Sequence, residues 1–277
     1  MESRNISSLI IYPIKSCAGI SLHEARLLST GLEHDREFML IDEHGTFISQ
    51  RKYPRMALIR PKIQGQTMMV EAPDMPPLDI PLTNDDEYKE VTVRIWNDTV
   101  QAVLQPHSVN AWFRSFLDDQ GLSLVRFAYL AHRYIDREFL GESGAESKFS
   151  DQYPLTLVSE ASIADLNTRL KETIDHTRFR PNILVSGFAP YEEDLVKILE
   201  VGLSGVVLKL IKPVKRCKIV NVDSEKGEIQ SDEVLRTVAS YRSRTGTSPG
   251  ILFCMKVLIG SGIGATLKVN DSLTVIE

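Results

Sequence analysis

The feature that most constrains this chain is its punctuation. Through the first hundred residues, apolar runs of strand length follow one another, separated only by a few polar or glycine-containing residues. EFMLID and TFISQR flank Glu43, His44 and Gly45. ALIRPKI and TMMVEA flank QGQ, and VTVRIW and TVQAVL flank Asn97 and Asp98, with Val91, Val93 and Ile95 alternating with polar residues. Runs of this kind joined by tight turns read as antiparallel hairpins, since a parallel pair needs a crossover of a dozen or more residues. The Pro- and Asp-rich PDMPPLDIPLTNDDEY between them reads as a loop.

Helical periodicity is sparse. In SVNAWFRSFLDDQG, residues Val109, Trp112, Phe113, Phe116 and Leu117 share one face, with Ser108 placed to cap the start and Gly121 the end. After residue 122 the order becomes strand (LSLVRFA), a polar loop (GESGAESKFSDQY), strand (LTLVS), and a helix whose stripe is Ile163, Leu166, Leu170 and Ile174. NILVSG, VVLKLIKPVK and CKIVNVD read as strands, DEVLRTVASYR as a helix, and ILFCMKVLI with ATLKVNDSLTVI as a closing pair. Many strands, few helices and no regular alternation give a β-rich α+β fold with a curled or barrel-like sheet. The change of pattern sets a domain boundary at 122, with one unit over 1–122 and another over 123–277.

Composition removes several functions. The net charge of −5 argues against nucleic acid or an anionic membrane as the main partner. Three scattered cysteines make no disulfide framework and no CxxC pair, so a reducing compartment is expected. The short apolar run in MESRNISSLIIYPIKS is far below a membrane span and lacks the form of a signal peptide. The reading is therefore a soluble, cytoplasmic protein. GSGIG at 260–264 precedes a strand-like segment, where a phosphate loop would precede a helix, and reads as a hairpin turn. Histidines show no ligand spacing, and no GxSxG elbow occurs.

Against this background the run IKPVKRCKIVNVD, residues 211–223, stands out. Cys217 sits among Lys212, Lys215, Arg216 and Lys218, and cationic neighbours favour the thiolate, the form that attacks electrophiles and binds metals. Other segments offer anion contacts. Lys15 and Ser16 leave an apolar strand together in YPIKSC, Arg36 precedes an apolar strand in HDREFML, and Arg178, Arg180 and Asn182 would share a face of TRFRPNILVSG if it were extended. Taken one at a time, a solvated strand end accounts better for Lys15 and Ser16 and a salt bridge better for Arg36, while an exposed strand edge accounts for the Arg178, Arg180 and Asn182 set equally well. Cys254 reads as core, and Cys17 as core or site.

Together and in order, YPIKSC, DREFMLID, SEASIADLN, RFRPNILVSG and RCKIVNVD resemble the MOSC superfamily, closest to the amidoxime-reducing group of MOSC proteins. The resemblance spans nearly the whole chain and implies an N-terminal MOSC β-barrel domain followed by a MOSC domain. It further implies a molybdenum cofactor whose metal is held by a pterin dithiolene and by Cys217. Lys15, Ser16 and Arg36 would hold its phosphate end, Arg180 and Asn182 the pterin, with Arg216 and the loop Ser150, Asp151, Gln152 and Tyr153 lining it. The implied activity is reduction of N-hydroxylated compounds (hydroxylamines, amidoximes, N-oxides). Electrons would come from a separate cytochrome b5-, flavodoxin- or ferredoxin-type donor. A carrier of the cofactor or its sulfur, or a member that keeps the barrel for other work, would use the same fold. Members usually read SRC followed by two threonines; here KRC, with Val220 and Asn221 after it, puts Lys215 at the reaction centre. Gln152 and Tyr153 replace small hydroxyl residues, and Cys254 stands where an FG pair has glycine.

Overall fold

The structure is a computed structural model that describes residues 3–83, 89–135, 144–246 and 249–277. Strands dominate, and the described residues contain three α-helices, His107–Leu117, Glu160–Asn167 and Glu233–Arg242. The β-rich α+β class expected from the hairpin pattern is what the chain forms.

The largest sheet runs in the order Ile20–Leu22, Asn5–Ile11, Ile183–Ser186, Leu155–Ser159, Gly250–Ser261, Val206–Lys215, Ile198–Val201, Leu273–Val275. Its one parallel pair is Leu155–Ser159 with Ile183–Ser186, and the helix Glu160–Asn167 lies in the crossover that such a pair requires. Asn5–Ile11 pairs with Ile183–Ser186, so the start of the chain completes a sheet built mostly from its second half. Conversely, Ser123–Phe127 pairs with Asp98–Leu104 and Phe38–Ile41. Strand pairing therefore crosses position 122 in both directions. Ile6, Leu9, Leu157, Ile183, Leu208 and Val257 anchor the core of the large sheet, and the Trp112 face of the first helix packs a second core with Phe38, Leu40 and Met68.

Two hairpins form with small adjustments. Gln64 pairs with Thr67 across a turn in which Gly65 takes φ 58°, a left-handed value glycine adopts without penalty. Asp98 pairs with Ile95, so the turn residues are Trp96 and Asn97, one position earlier than the sequence suggests, and Trp96 itself takes φ 55°. The third hairpin is incomplete: after Phe38–Ile41 the chain returns only as the bridge Ile41–Phe47. The proline-rich segment contains the strand Leu78–Pro81, whose Pro81 sits on a sheet edge where no ladder donor is needed. Residues 84–88 of that segment, and 141–143 of the loop before Leu155, lie outside the described residues.

Other expectations are corrected. CKIVNVD is not a continuous strand: it turns in a 3-10 helix at Lys218–Asn221 and resumes as Val222–Asp223. That turn lets Asn221 Oδ1 accept from the Leu235 N–H at the start of the last helix, a half-buried contact that an extended path would miss. The 160–174 helix ends at Asn167, whose side chain exchanges two hydrogen bonds with the Ile174 backbone; Leu170 and Ile174 still pack on the same core. The first helix starts at His107 after Pro106 without a serine cap, and its left-handed end is Asp118, φ 52°. GSGIG is a crossover, since Thr266–Lys268 pairs with Glu24–Leu28 and Leu273–Val275 with Ile198–Val201. Among the described residues no helix is long and apolar enough to cross a membrane.

Candidate functional site

The segments that carried charge in the sequence converge. Tyr12 to Ser16 and Asp35 to Phe38 are laced by backbone bonds from Arg36 N–H to Tyr12 O, Phe38 N–H to Pro13 O and Lys15 N–H to Phe38 O. Asp35 Oδ1 accepts from the Tyr12 N–H at 2.8 Å, and Arg36 Nη1 donates to both Asp35 carboxylate oxygens, Oδ1 at 2.7 Å and Oδ2 at 2.6 Å. Arg36 Nη2 donates to Arg180 O at 3.0 Å, tying this corner to the second half of the chain. Both guanidiniums lie over the Tyr12 ring, Arg180 at 4.1 Å and Arg36 at 4.3 Å.

Arg178 and Arg180 do not share a strand face. Arg178 lies in the 3-10 turn His176–Phe179 and pairs with Asp223, and Arg180 follows in a left-handed conformation, φ 54°. Both still line one cleft. Ser16 (φ 68°) and Arg36 (φ 46°) are left-handed as well. Non-glycine residues in this region carry a backbone cost of about 1–2 kcal/mol each, and such strain concentrates where side chains must be aimed.

Lys15, Ser16, Arg36, Ser150, Asp151, Gln152, Tyr153, Arg180, Asn182, Lys215, Arg216 and Cys217 all line this cleft, whose deep part has a volume of about 130 Å³. Their side chains are not equally free. Asn182, 1 % exposed, accepts from the Thr156 N–H and donates to Ile10 O, so it bridges three strands. Lys15 Nζ donates to Phe149 O at 2.8 Å and to Asp151 Oδ1 at 2.6 Å. Burial pulls the Lys15 ammonium below its ordinary pKa against the attraction of Asp151. Lys15 and the Trp96 N–H hold the exposed Asp151 carboxyl well below the carboxylate range. Arg133 holds the rest of the loop through Lys148 O and Ser150 O.

Among the described residues, three buried donors in the cleft's wall have no partner: Arg180 Nη2, Arg216 Nη2 and Ser150 Oγ. Arg180 Nη1 donates to Cys17 O, and Arg216 Nε and Nη1 donate to Phe253 O and Phe179 O. Burial lowers the Arg180 guanidinium to about 10. An unpartnered buried donor costs free energy unless something accepts from it, so these three define a place for a polar or anionic ligand.

Cys217 is the half-exposed member of three free cysteines; Cys17 and Cys254 are buried, with thiols pushed up to about 12 by desolvation. Two residues that sequence reading passed over complete its surroundings. Arg51 donates to its sulfur at 3.2 Å and stacks over Trp96 at 4.8 Å. Lys256 lines the outer cleft and donates to Gln152 Oε1. Among the described residues no cluster of three or more His, Cys, Asp or Glu is arranged around a metal.

The chain is a MOSC protein. Residues 3–120 match the MOSC N-terminal beta barrel domain and residues 145–274 the MOSC domain. The chain belongs to this family and to the group of the mitochondrial amidoxime reducing components. It is 35 % identical over 245 residues to mitochondrial amidoxime reducing component 2 of Rattus norvegicus, covering 86 % of this chain and 72 % of that protein. With mitochondrial amidoxime-reducing component 1 of Homo sapiens the identity is 32 % over 246 residues, 86 % of this chain and 72 % of that one. It is also 32 % identical over 264 residues to the molybdenum cofactor sulfurase of Oryza sativa, covering 87 % of this chain and 31 % of that longer protein. A molybdenum-cofactor-related function follows from this membership.

Proposed function

We propose that the protein is a molybdenum-cofactor-dependent reductase of N-hydroxylated compounds, converting N–OH to N–H with two electrons and two protons from a separate redox protein and releasing water. The observation that carries it is the cleft in which an accessible Cys217 faces three unpartnered buried donors. The donor set fits the cofactor: a soft thiolate suits a soft-ligated metal, and guanidiniums suit phosphate and pterin oxygens. When bound, the cofactor would supply the two-electron oxygen-atom chemistry that no side chain here provides. Cys217 would hold the metal, Arg180, Arg216 and Ser150 the pterin side, and Lys15, Ser16 and Arg36 the phosphate end.

Within that reading the chain's residues have separate tasks. Lys15 and Arg133 fix the Phe149–Asp151 turn through its carbonyls and the Asp151 carboxylate. Arg51 orients the Cys217 sulfur. Lys215, exposed at the end of the strand Val206–Lys215, stands at the cleft mouth, where it would meet substrate. The names of the amidoxime reducing components support reduction as the chemistry. The likeness to a cofactor sulfurase supports a second reading, a cofactor or sulfur carrier. Protein purified from a cofactor-competent host separates them: viologen-driven reduction of an aryl amidoxime is expected, and molybdenum-replete protein that reduces no N-oxygenated compound would leave the carrier reading.

A further inference from the structure

Arg36 and Arg180 line the cleft, and Tyr12, 1 % exposed, does not. Its backbone is nevertheless built into their corner: the Tyr12 N–H donates to Asp35 Oδ1 at 2.8 Å, and its carbonyl accepts from the Arg36 N–H at 2.9 Å. Its ring is confined as well. A Cβ on Gly19 would stand 2.7 Å from Tyr12 Cε1, so the ring lies where it does because position 19 carries no side chain.

The hydroxyl gives no reason for this placement. Among the described residues Tyr12 Oη is buried without a hydrogen-bond partner, and burial pushes its pKa up to about 12 against the pull of Arg180 and Arg36. An unpaired buried hydroxyl costs free energy, and a phenol that stays protonated is no anionic partner for a guanidinium. The ring does meet both cations. Arg180 Cζ lies 4.1 Å and Arg36 Cζ 4.3 Å from its centre, within the range over which an aromatic quadrupole attracts a cation. Two like charges over one ring repel each other. Asp35 offsets the charge of Arg36, whereas Arg180 Nη1 donates to a neutral carbonyl, Cys17 O, at 2.6 Å. Left-handed backbones, φ 46° at Arg36 and 54° at Arg180, set where the two side chains start, and the shared ring sets where their heads end.

We infer that Tyr12 is a positioning residue whose ring holds the Arg36 and Arg180 guanidiniums at a fixed spacing, so that the two act together on one anionic ligand with Arg180 Nη2 left free to donate to it. The inference rests on the cofactor-binding reading of the cleft, in which Arg36 serves the phosphate end and Arg180 the pterin side.

The test is calorimetric binding of inorganic phosphate to the full chain made without cofactor, beside pterin content, read as fluorescence after oxidation, in protein from a cofactor-competent host. Tyr12→Leu should weaken phosphate binding by about tenfold, as the loss of two cation–π contacts gives. Tyr12→Phe should bind as wild type does, since the hydroxyl has no partner to lose. Phe113→Leu, which removes an equally buried aromatic ring from the core around Trp112, should also bind as wild type does. In an Arg180→Lys background Tyr12→Leu should cost less than in wild type, because part of its action runs through Arg180. Wild-type protein that binds no phosphate overturns the inference, as do unchanged affinity in Tyr12→Leu, equal loss in Tyr12→Phe or Phe113→Leu, and equal costs in the two backgrounds. If Tyr12→Leu does not fold, Gly19→Ala replaces it: its Cβ displaces the ring, a severalfold loss of phosphate affinity is expected, and an unchanged affinity overturns the inference. If the variants sort as expected while wild-type protein from the competent host holds no pterin, the role of Tyr12 stands and the cofactor reading falls. If pterin is present while phosphate affinity ignores the ring, the role of Tyr12 falls and that reading stands.

Discussion

Arg51 Nη2 donates to the Cys217 sulfur across 3.2 Å, joining positions 166 residues apart. The contact is supported on both sides. Arg51 stacks on Trp96, the Trp96 N–H bonds Asp151, and Asp151 bonds Lys15. A sulfur that accepts from a guanidinium is held in one orientation, and removing a contact that supports a metal ligand typically costs about 10–100-fold in metal affinity or activity. Arg51→Met, close in volume, should therefore lower viologen-driven turnover by about that factor, with a shifted Mo(V) electron paramagnetic resonance spectrum. An unchanged spectrum and rate would remove Arg51 from the site.

Cys217 and Cys254 should behave oppositely. Cys217→Ser should lose most of the molybdenum, read by elemental analysis, whereas Cys254→Ser should keep it, because Cys254 is 2 % exposed in the core beside Phe253. Cys254 also takes φ 66°, which explains why glycine suits this position in an FG pair. Cys254→Gly should thus fall within about 1 kcal/mol of wild type, as relief of the left-handed backbone offsets the lost side chain. Cys254→Val, branched at Cβ in the same conformation, should cost more than about 2 kcal/mol in urea unfolding.

Asp35 and Arg36 test the anion corner. Their side chains are 2 and 11 % exposed and doubly bonded. Arg36→Ala leaves a buried carboxylate unpaired, and a loss of about 3–5 kcal/mol is expected. Arg180→Lys, which removes the unpartnered Nη2, should instead lower pterin content with a smaller change in melting temperature. Equal pterin content in wild type and Arg180→Lys, measured as fluorescence after oxidation, would count against the cradle.

How much of this could be read in advance follows from what each residue's neighbours in sequence announce. The hairpins were legible because alternation and turn residues act locally. Lys15, Arg180 and Cys217 were legible because each interrupts an apolar run with charge or a thiol. Arg51 was not: in ISQRK it looks like a solvated strand end, and its stacking on Trp96 depends on a turn 45 residues away that shifted by one position. Lys256 had a signal, a lone lysine inside ILFCMKVLI like those in VVLKLIKPVK. Pairing the two lysine strands requires the sheet order, which no local pattern states. The left-handed Ser16, Arg36 and Arg180 were invisible because tertiary contacts, not propensity, hold them there.

Acid should loosen the fold through Glu37. Burial alone would raise its carboxyl pKa, but the hydrogen bond from His34 and the Lys148 and Arg126 charges hold it well below the usual carboxylate range. A depressed folded-state pKa gives stability that is complete above the unfolded value of about 4.3 and is lost as pH falls from there toward the folded value. Urea midpoints should drop below about pH 4.5, and Glu37→Gln, less stable at neutral pH, should show a flatter drop. Parallel acid profiles for the two proteins would exclude Glu37 as the cause.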